Sequence, residues 1–230
     1  MSRLDNPDVL RRIASRRPVA ADERCDLCGE QVADRHSHVV DIRTRSLMCT
    51  CRACHVLFTH DDVQLKYRSV PRRFLAFPDA DISLGLWQGL AIPVDIAFLF
   101  YDSSLSRVVS LSPGQDGATE SELPRDAWED LVAANRGLET VRDDVEAVLL
   151  HKQGGGVSCF LVPVDFCYEL TDHLRQLWRG PDGGDEARLR LEQFFCDVIA
   201  RARVTDARRC VAAGSDTGMA AARDRVRLRR

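Results

Sequence analysis

Four stretches in the middle of the chain carry the dense or alternating apolar residues of strands, and turn residues separate them. VDIAFLFYD (94–102) and SRVVSLS (106–112) flank a polar turn at Asp102 to Leu105. VEAVLLH (145–151) and VSCFLVP (157–163) flank KQGGG, a strong hairpin signal because glycine reaches the left-handed conformations such turns need. Between the two pairs the apolar spacing changes to three and four. PRDAWEDLVAAN (124–135) therefore predicts a helix, with Pro124 near its first turn and Gly137 just past its end. VDFCYELTDHLRQLW (164–178) predicts a second, with Cys167, Leu170, Leu174, Leu177 and Trp178 on one stripe. After the loop RGPDGG a last helix is expected over 185–203. Two hairpins separated and followed by helices give an α+β layer over 93–204, an antiparallel sheet with helices on one face.

The rest of the chain divides by the same criteria. Residues 1–21 form a basic arm, in which 6–17 predict a short helix with Leu10 and Ile13 on its apolar side. Residues 22–60 are rich in cysteine and histidine. A connector over 61–92 is punctuated by proline and anchored by Phe74, Phe77 and Trp87, with a short helix expected in DADISLGLWQGL. Beyond 205 apolar periodicity is lost, and the arginine-rich tail 205–230 is expected to be disordered.

Of the 230 residues, 45% are apolar and 29% charged, enough to bury a core and ordinary for a water-soluble domain. The formal net charge of −3 provides no global attraction for nucleic acid or anionic membrane. The amino terminus lacks the apolar segment of a secretory signal, and the run from Val94 to Tyr101 is too short to span a bilayer. Nine cysteines without an export signal point to the reducing cytoplasm and to metal ligation rather than disulfides.

The strongest chemical signal is C-x2-C at Cys25 and Cys28, repeated at Cys51 and Cys54. Two cysteines three positions apart on a tight turn aim both sulfurs at one ion, and a second such pair closes a tetrahedron. The small module thus becomes a zinc-ribbon-like unit in which the metal replaces a core. Between the pairs, HSHVVDIRTRSLMC predicts a hairpin turning at RTRS. With Thr44 and Arg45 as its loop, His38 faces Cys51, and Cys49 shares the face of Cys51. Three metal assignments fit the spacing. The first is structural zinc on the four cysteines, with Cys49 a buried thiol. In the second, a single iron or a small iron–sulfur cluster recruits Cys49. In the third, His36, His38 or His55 replaces one cysteine.

Other chemistry is weaker. Glu169 and His173 stand four apart, as metal ligands or proton shuttles can, yet such pairs usually line a solvated helix face. The glycines of WRGPDGGDEAR precede acidic residues that suit a helix start better than a phosphate. Cys167 and Cys196 occupy positions expected in the core, while GATESELPRD reads as an exposed lead-in to a helix. The arginine-rich ends invite nucleic acid, but Asp22, Glu23, Asp26, Glu30, Asp34 and Asp41 surround the cysteines and break up any continuous basic face. No P-loop, dinucleotide fingerprint or nucleophile elbow occurs.

RCDLCGE, RHSHVVD, LMCTCRACHVLF, GATESELPRDAWEDLVAAN and WRGPDGGDEAR together resemble an uncharacterised bacterial domain family encoded near high-affinity NiFe hydrogenases and NifU-like proteins. The resemblance covers most of 22–203 and transfers no catalytic residue. It implies an accessory role in hydrogenase maturation, with a hydrogenase subunit or assembly factor as partner. On that view the module is similar to rubredoxin-type assembly factors, although His55 rather than glycine follows the second pair. Two other expectations stand beside it: an adaptor or regulator with a structural zinc ribbon, and an iron–thiolate redox carrier.

Overall fold

In a computed structural model the described residues are 23–59, 66–92, 95–114, 117–177 and 184–205. The expected helix over 6–17, residues 179–183 of the loop RGPDGG, Trp178, His60, Cys210 and the arginine-rich ends lie outside them.

The first sheet contains β1 (Ser37–Asp41), β2 (Ser46–Thr50) and β3 (Tyr67–Ser69), antiparallel in the order β2-β1-β3. Its third strand comes from the segment read as a connector. A short helix α1 (Arg52–Val56) follows β2. Next along the chain come β4 (Leu75–Ala76), α2 (Leu84–Gly89), β5 (Ile96–Asp102), β6 (Arg107–Gly114) and β7 (Gly117–Leu123). They are followed by α3 (Arg125–Ala134), a 3-10 turn at Arg136–Thr140, β8 (Glu146–Gln153) and β9 (Gly156–Pro163). The last elements are α4 (Val164–Leu177), α5 (Gly184–Arg201) and β10 (Arg203–Val204). Strands β4 to β10 form a seven-stranded sheet in the order β10-β4-β9-β8-β5-β6-β7. All its pairings are antiparallel except that of β10 with β4, so the sheet is mixed. Among the described residues no helix is long and apolar enough to cross a membrane.

Successive side chains of a strand point to opposite faces, and both faces of this sheet are apolar. Ile96, Phe98, Phe100, Ala147, Leu149, Phe160 and Val162 meet Phe166, Cys167, Leu170 and Leu174 of α4 and Phe194 and Val198 of α5. On the other face Ala97, Leu99, Val148, Leu150, Cys159 and Leu161 meet Trp87 of α2, Leu131 of α3, Phe77 and Leu138. The expectation of helices on one face is therefore corrected. The unbroken runs AFLF, VLL and FLV leave no polar face, and α2, α3 and the 3-10 turn cover the second side. Cys196 is also corrected. The buried residues of α5 are Ala187, Phe194, Phe195 and Val198, and Cys196 falls off that stripe into solvent. GATESEL is strand β7 at the sheet edge, where Glu120 and Glu122 take ion pairs from Arg107 at 3.0 and 3.1 Å. Charge on an edge strand discourages further pairing.

Two hairpins turn by one device. Asp41 Oδ1 accepts the main-chain N–H groups of Arg43 and Thr44, and Asp102 Oδ1 accepts those of Ser104 and Leu105. Each carboxylate closes a loop whose last residue is left-handed, Arg45 (φ 55°) or Ser106 (φ 52°). In β8–β9, Gln153 pairs with Gly156 across Gly154 and Gly155, both at positive φ, as KQGGG predicts.

The small sheet packs on the large one through Val40, Val70, Val145 and Val164. Ion pairs cross the same seam, Arg45 to Asp102 at 2.7 Å and Arg68 to Asp144 at 2.9 Å. Just after the small sheet, Arg73 reaches Glu146 of β8 with Nε at 2.8 Å and Nη2 at 2.6 Å.

Candidate metal centre

The four predicted ligands arrive from two different local structures. Cys25 and Cys28 lie in a turn in which Gly29 N–H donates to Cys25 O at 2.8 Å and Cys25 N–H to Glu30 O at 2.7 Å. Gly29 sits at φ 77°, a conformation that costs a residue with a side chain free energy. The second pair does not repeat this turn. Cys51 caps α1, its Sγ accepting from Cys54 N–H at 3.5 Å, so Cys51 and Cys54 occupy the start of a helix.

One sulfur from each of Cys25, Cys28, Cys51 and Cys54 lies within 4.8 Å of the others. The Cys28 and Cys51 sulfurs are 3.8 Å apart. Metal–sulfur bonds of about 2.3 Å give a tetrahedron with edges of about 3.8 Å, so the cluster has the size of a tetrathiolate site and could hold a metal ion. Zinc and iron have the same claim on it by this measure. The four thiols are close enough to oppose one another's ionisation. Burial pushes the Cys25 thiol up, but the N–H groups of Cys51, Cys28 and Leu27 outweigh it and bring the thiol from 9.0 down to about 6. Cys54 goes the other way, to about 12, through burial and then through its neighbours Cys28, Cys51 and Cys25. Ionising further thiols beside a thiolate requires positive charge, which a metal supplies.

Cys49 does not join this cluster. The hairpin pairs Asp41 with Ser46 and therefore His38 with Cys49, not with Cys51 as expected. The Asp41 carboxylate closes a longer loop than the two residues Thr44 and Arg45, shifting the register by an even number and preserving the faces. Cys49 Sγ lies 2.8 Å from His36 Nε2, and His36, His38 and Cys49 form a second group of converging ligand atoms. His55 Nε2 lies 3.1 Å from Val70 O and is not among the converging ligand atoms. The structure thus puts His36, His38 and His55 outside the four-cysteine cluster.

The acidic helix face after Pro163 is also dispersed. Asp165 binds His38 at 2.7 Å, Asp172 binds Arg175 at 2.6 Å, and His173 Nδ1 lies 3.0 Å from Arg190 Nη2. Glu169 is exposed, so the Glu169/His173 pair gathers no ligand set. His151 stacks on Phe195 at 3.9 Å between ring centres, and burial pushes its pKa down. The link from His38 to Asp165, 127 residues away, had no local signal; only the H-x-H spacing hinted at half of it.

The model of the family described as "Family of unknown function (DUF5947)" matches residues 24–202, which take in every strand except β10 and all four cysteines of the cluster. No curated protein and no solved structure matches the chain.

Proposed function

The chain belongs to DUF5947, a family of unknown function, and from that premise we propose that it is a metal-binding accessory protein that serves a protein client. Cys25, Cys28, Cys51 and Cys54 hold one zinc ion, and the mixed α/β body offers the client its docking surface. The observation that carries this reading is the tetrathiolate-sized cluster, with its 3.8 Å edge between Cys28 and Cys51. Zinc is favoured over an iron–sulfur cluster because Cys49, the thiol a cluster would recruit, is turned toward His36. A closed set of four thiolates is the composition of a structural ion that folds and orients the module. The client, on the resemblance stated above, is a NiFe hydrogenase subunit or one of its assembly factors, met in the reducing cytoplasm.

Two measurements test the reading separately. Protein purified without oxygen is expected to be colourless and to lose one zinc per chain in Cys25→Ser and Cys51→Ser. Visible thiolate–iron absorption overturns the zinc assignment. In a host carrying such a hydrogenase, deletion of the gene is expected to lower hydrogenase maturation and activity. Unchanged activity overturns the client assignment.

A further inference from the structure

Cys49 is the centre of a second convergence of donor atoms, built beside the first but from different chemistry. His36 Nε2 is 2.8 Å from its sulfur, the His36 and His38 rings lie 4.7 Å apart, and one ligand atom from each of the three residues falls within 4.8 Å of the others. We propose that His36, His38 and Cys49 form a second metal site, which takes one borderline divalent cation of the zinc–copper class and leaves a fourth position for an exchangeable ligand.

The orientation of both rings supports it. His36 Nδ1 lies 2.9 Å from Ala33 O, and His38 Nδ1 lies 2.7 Å from Asp165 Oδ2. Each Nδ1–H donates to an oxygen, which fixes the tautomer that offers Nε2 as the ligand atom. A carboxylate behind a ligating imidazole also raises its basicity, the arrangement found behind metal-bound histidines. Cys49 is held as firmly. Its N–H donates to Asp26 Oδ2 at 2.7 Å and its C=O accepts from Asp26 N–H at 2.9 Å, while His38 stands opposite it across β1 and β2.

Two imidazoles and a thiolate exclude magnesium and calcium, which prefer oxygen, and suit zinc, cobalt, nickel or copper. With bonds of about 2.0 Å to nitrogen and 2.3 Å to sulfur, a tetrahedral ion separates N from S by about 3.5 Å. Binding therefore parts His36 and Cys49 by less than about 1 Å and puts the metal where they now share a proton. The thiol proton leaves to solvent, and the cation takes the thiolate and two neutral imidazoles. The side chains of His36 and His38 are 9% and 20% exposed, so the site is reachable from water. Three protein ligands with an open fourth position characterise sites that exchange or activate a ligand, in contrast to the closed four-thiolate set.

The test uses the full chain, prepared without oxygen, given one equivalent of zinc and then titrated with cobalt(II) chloride. One further equivalent is expected to bind, with tetrahedral cobalt bands and a thiolate charge-transfer band weaker than that of a four-thiolate site. Cys49→Ser, and His36→Ala with His38→Ala, should abolish that equivalent while zinc stays at the four cysteines, which reports that the variants fold. Asp165→Asn should weaken cobalt binding about 10- to 100-fold with the spectrum retained. Before cobalt is added, the first equivalent of zinc in the wild type should show four sulfur ligands by X-ray absorption, so failure of the four-cysteine assignment is seen separately. Saturation of the wild type at one metal in total overturns the proposal. So does an unchanged second equivalent in Cys49→Ser.

Discussion

Glu146 has no contact with water, yet it is fully paired. Arg73 grips both its oxygens, and Arg142 N–H donates to Oε2 at 3.0 Å. Removing one member of such a pair leaves the other charge short of partners. Glu146→Gln is expected to cost about 3 kcal/mol, at the lower end for broken buried pairs because Arg73 keeps about a third of its side chain in water. Urea denaturation measures it. The thiols divide by environment. Burial pushes Cys159 up to about 12 and raises Cys167 as well, whereas Cys28 and Cys196 are exposed. Brief alkylation of zinc-loaded protein, read by mass spectrometry, should label Cys196 and spare Cys159 and Cys167; a chelator should add Cys28 to the labelled set and leave Cys159 and Cys167 spared. For His151, burial holds the folded pKa below the unfolded 6.5, opposed only by Asp95. Its contribution is complete above pH 6.5 and fades as pH falls through that value toward the folded pKa. His151→Phe should therefore narrow the loss of Tm between pH 7.5 and pH 5. At this scale the apolar stripe made Cys167 legible. Cys196 was not, because its place depends on how α5 is rotated against the sheet.

Elements were legible where periodicity or turn chemistry is local. The hairpin across Gly154 and Gly155 and helices α3 and α4 follow from their own residues. The β1–β2 register was not legible, because a carboxylate at the strand end competes with the residues of the turn itself, and Asp41 wins. Gly137 shows the same limit. It was read as the stop signal of a helix, but α3 ends at Ala134, and a Cβ at 137 would meet Phe77 Cε1 at 2.7 Å. The glycine is a place for a ring from a distant segment. Gly137→Ala should destabilise the chain by about 1–3 kcal/mol through displacement of Phe77. Gly89→Ala, with nothing within 4 Å of the added carbon, is the control in the same thermal melt.

Across the whole molecule, the short strands β3, β4 and β10 escaped detection because two or three residues carry no period, and their pairing is decided by what they lie beside. The convergence of the cysteine pairs was legible at once, since C-x2-C spacing brings two sulfurs to one place. The seam between the sheets was not, because the valines and ion pairs that form it are scattered along the sequence. That seam would couple a metal bound at the small sheet to the stability of the large one. Zinc at a hundredfold excess over its Kd should stabilise the native state by about 2.7 kcal/mol. If the seam holds, calorimetry should show one transition that moves up as a whole with zinc and down with a chelator. Movement of a minor transition alone would place the sheets in separate cooperative units.

Asp165 and His38 meet at 2.7 Å across 127 residues of chain. In terms of descent, that hydrogen bond gives the cysteine-rich segment and the first turn of α4 a reason to be inherited together. A lineage that exchanged the segment for another would strand Asp165 on its helix with nothing to orient, and one that lost Asp165 would relax selection on His38. Relatives of this chain should therefore keep or discard His36, His38, Cys49 and Asp165 together, while the four remaining module cysteines follow a history of their own.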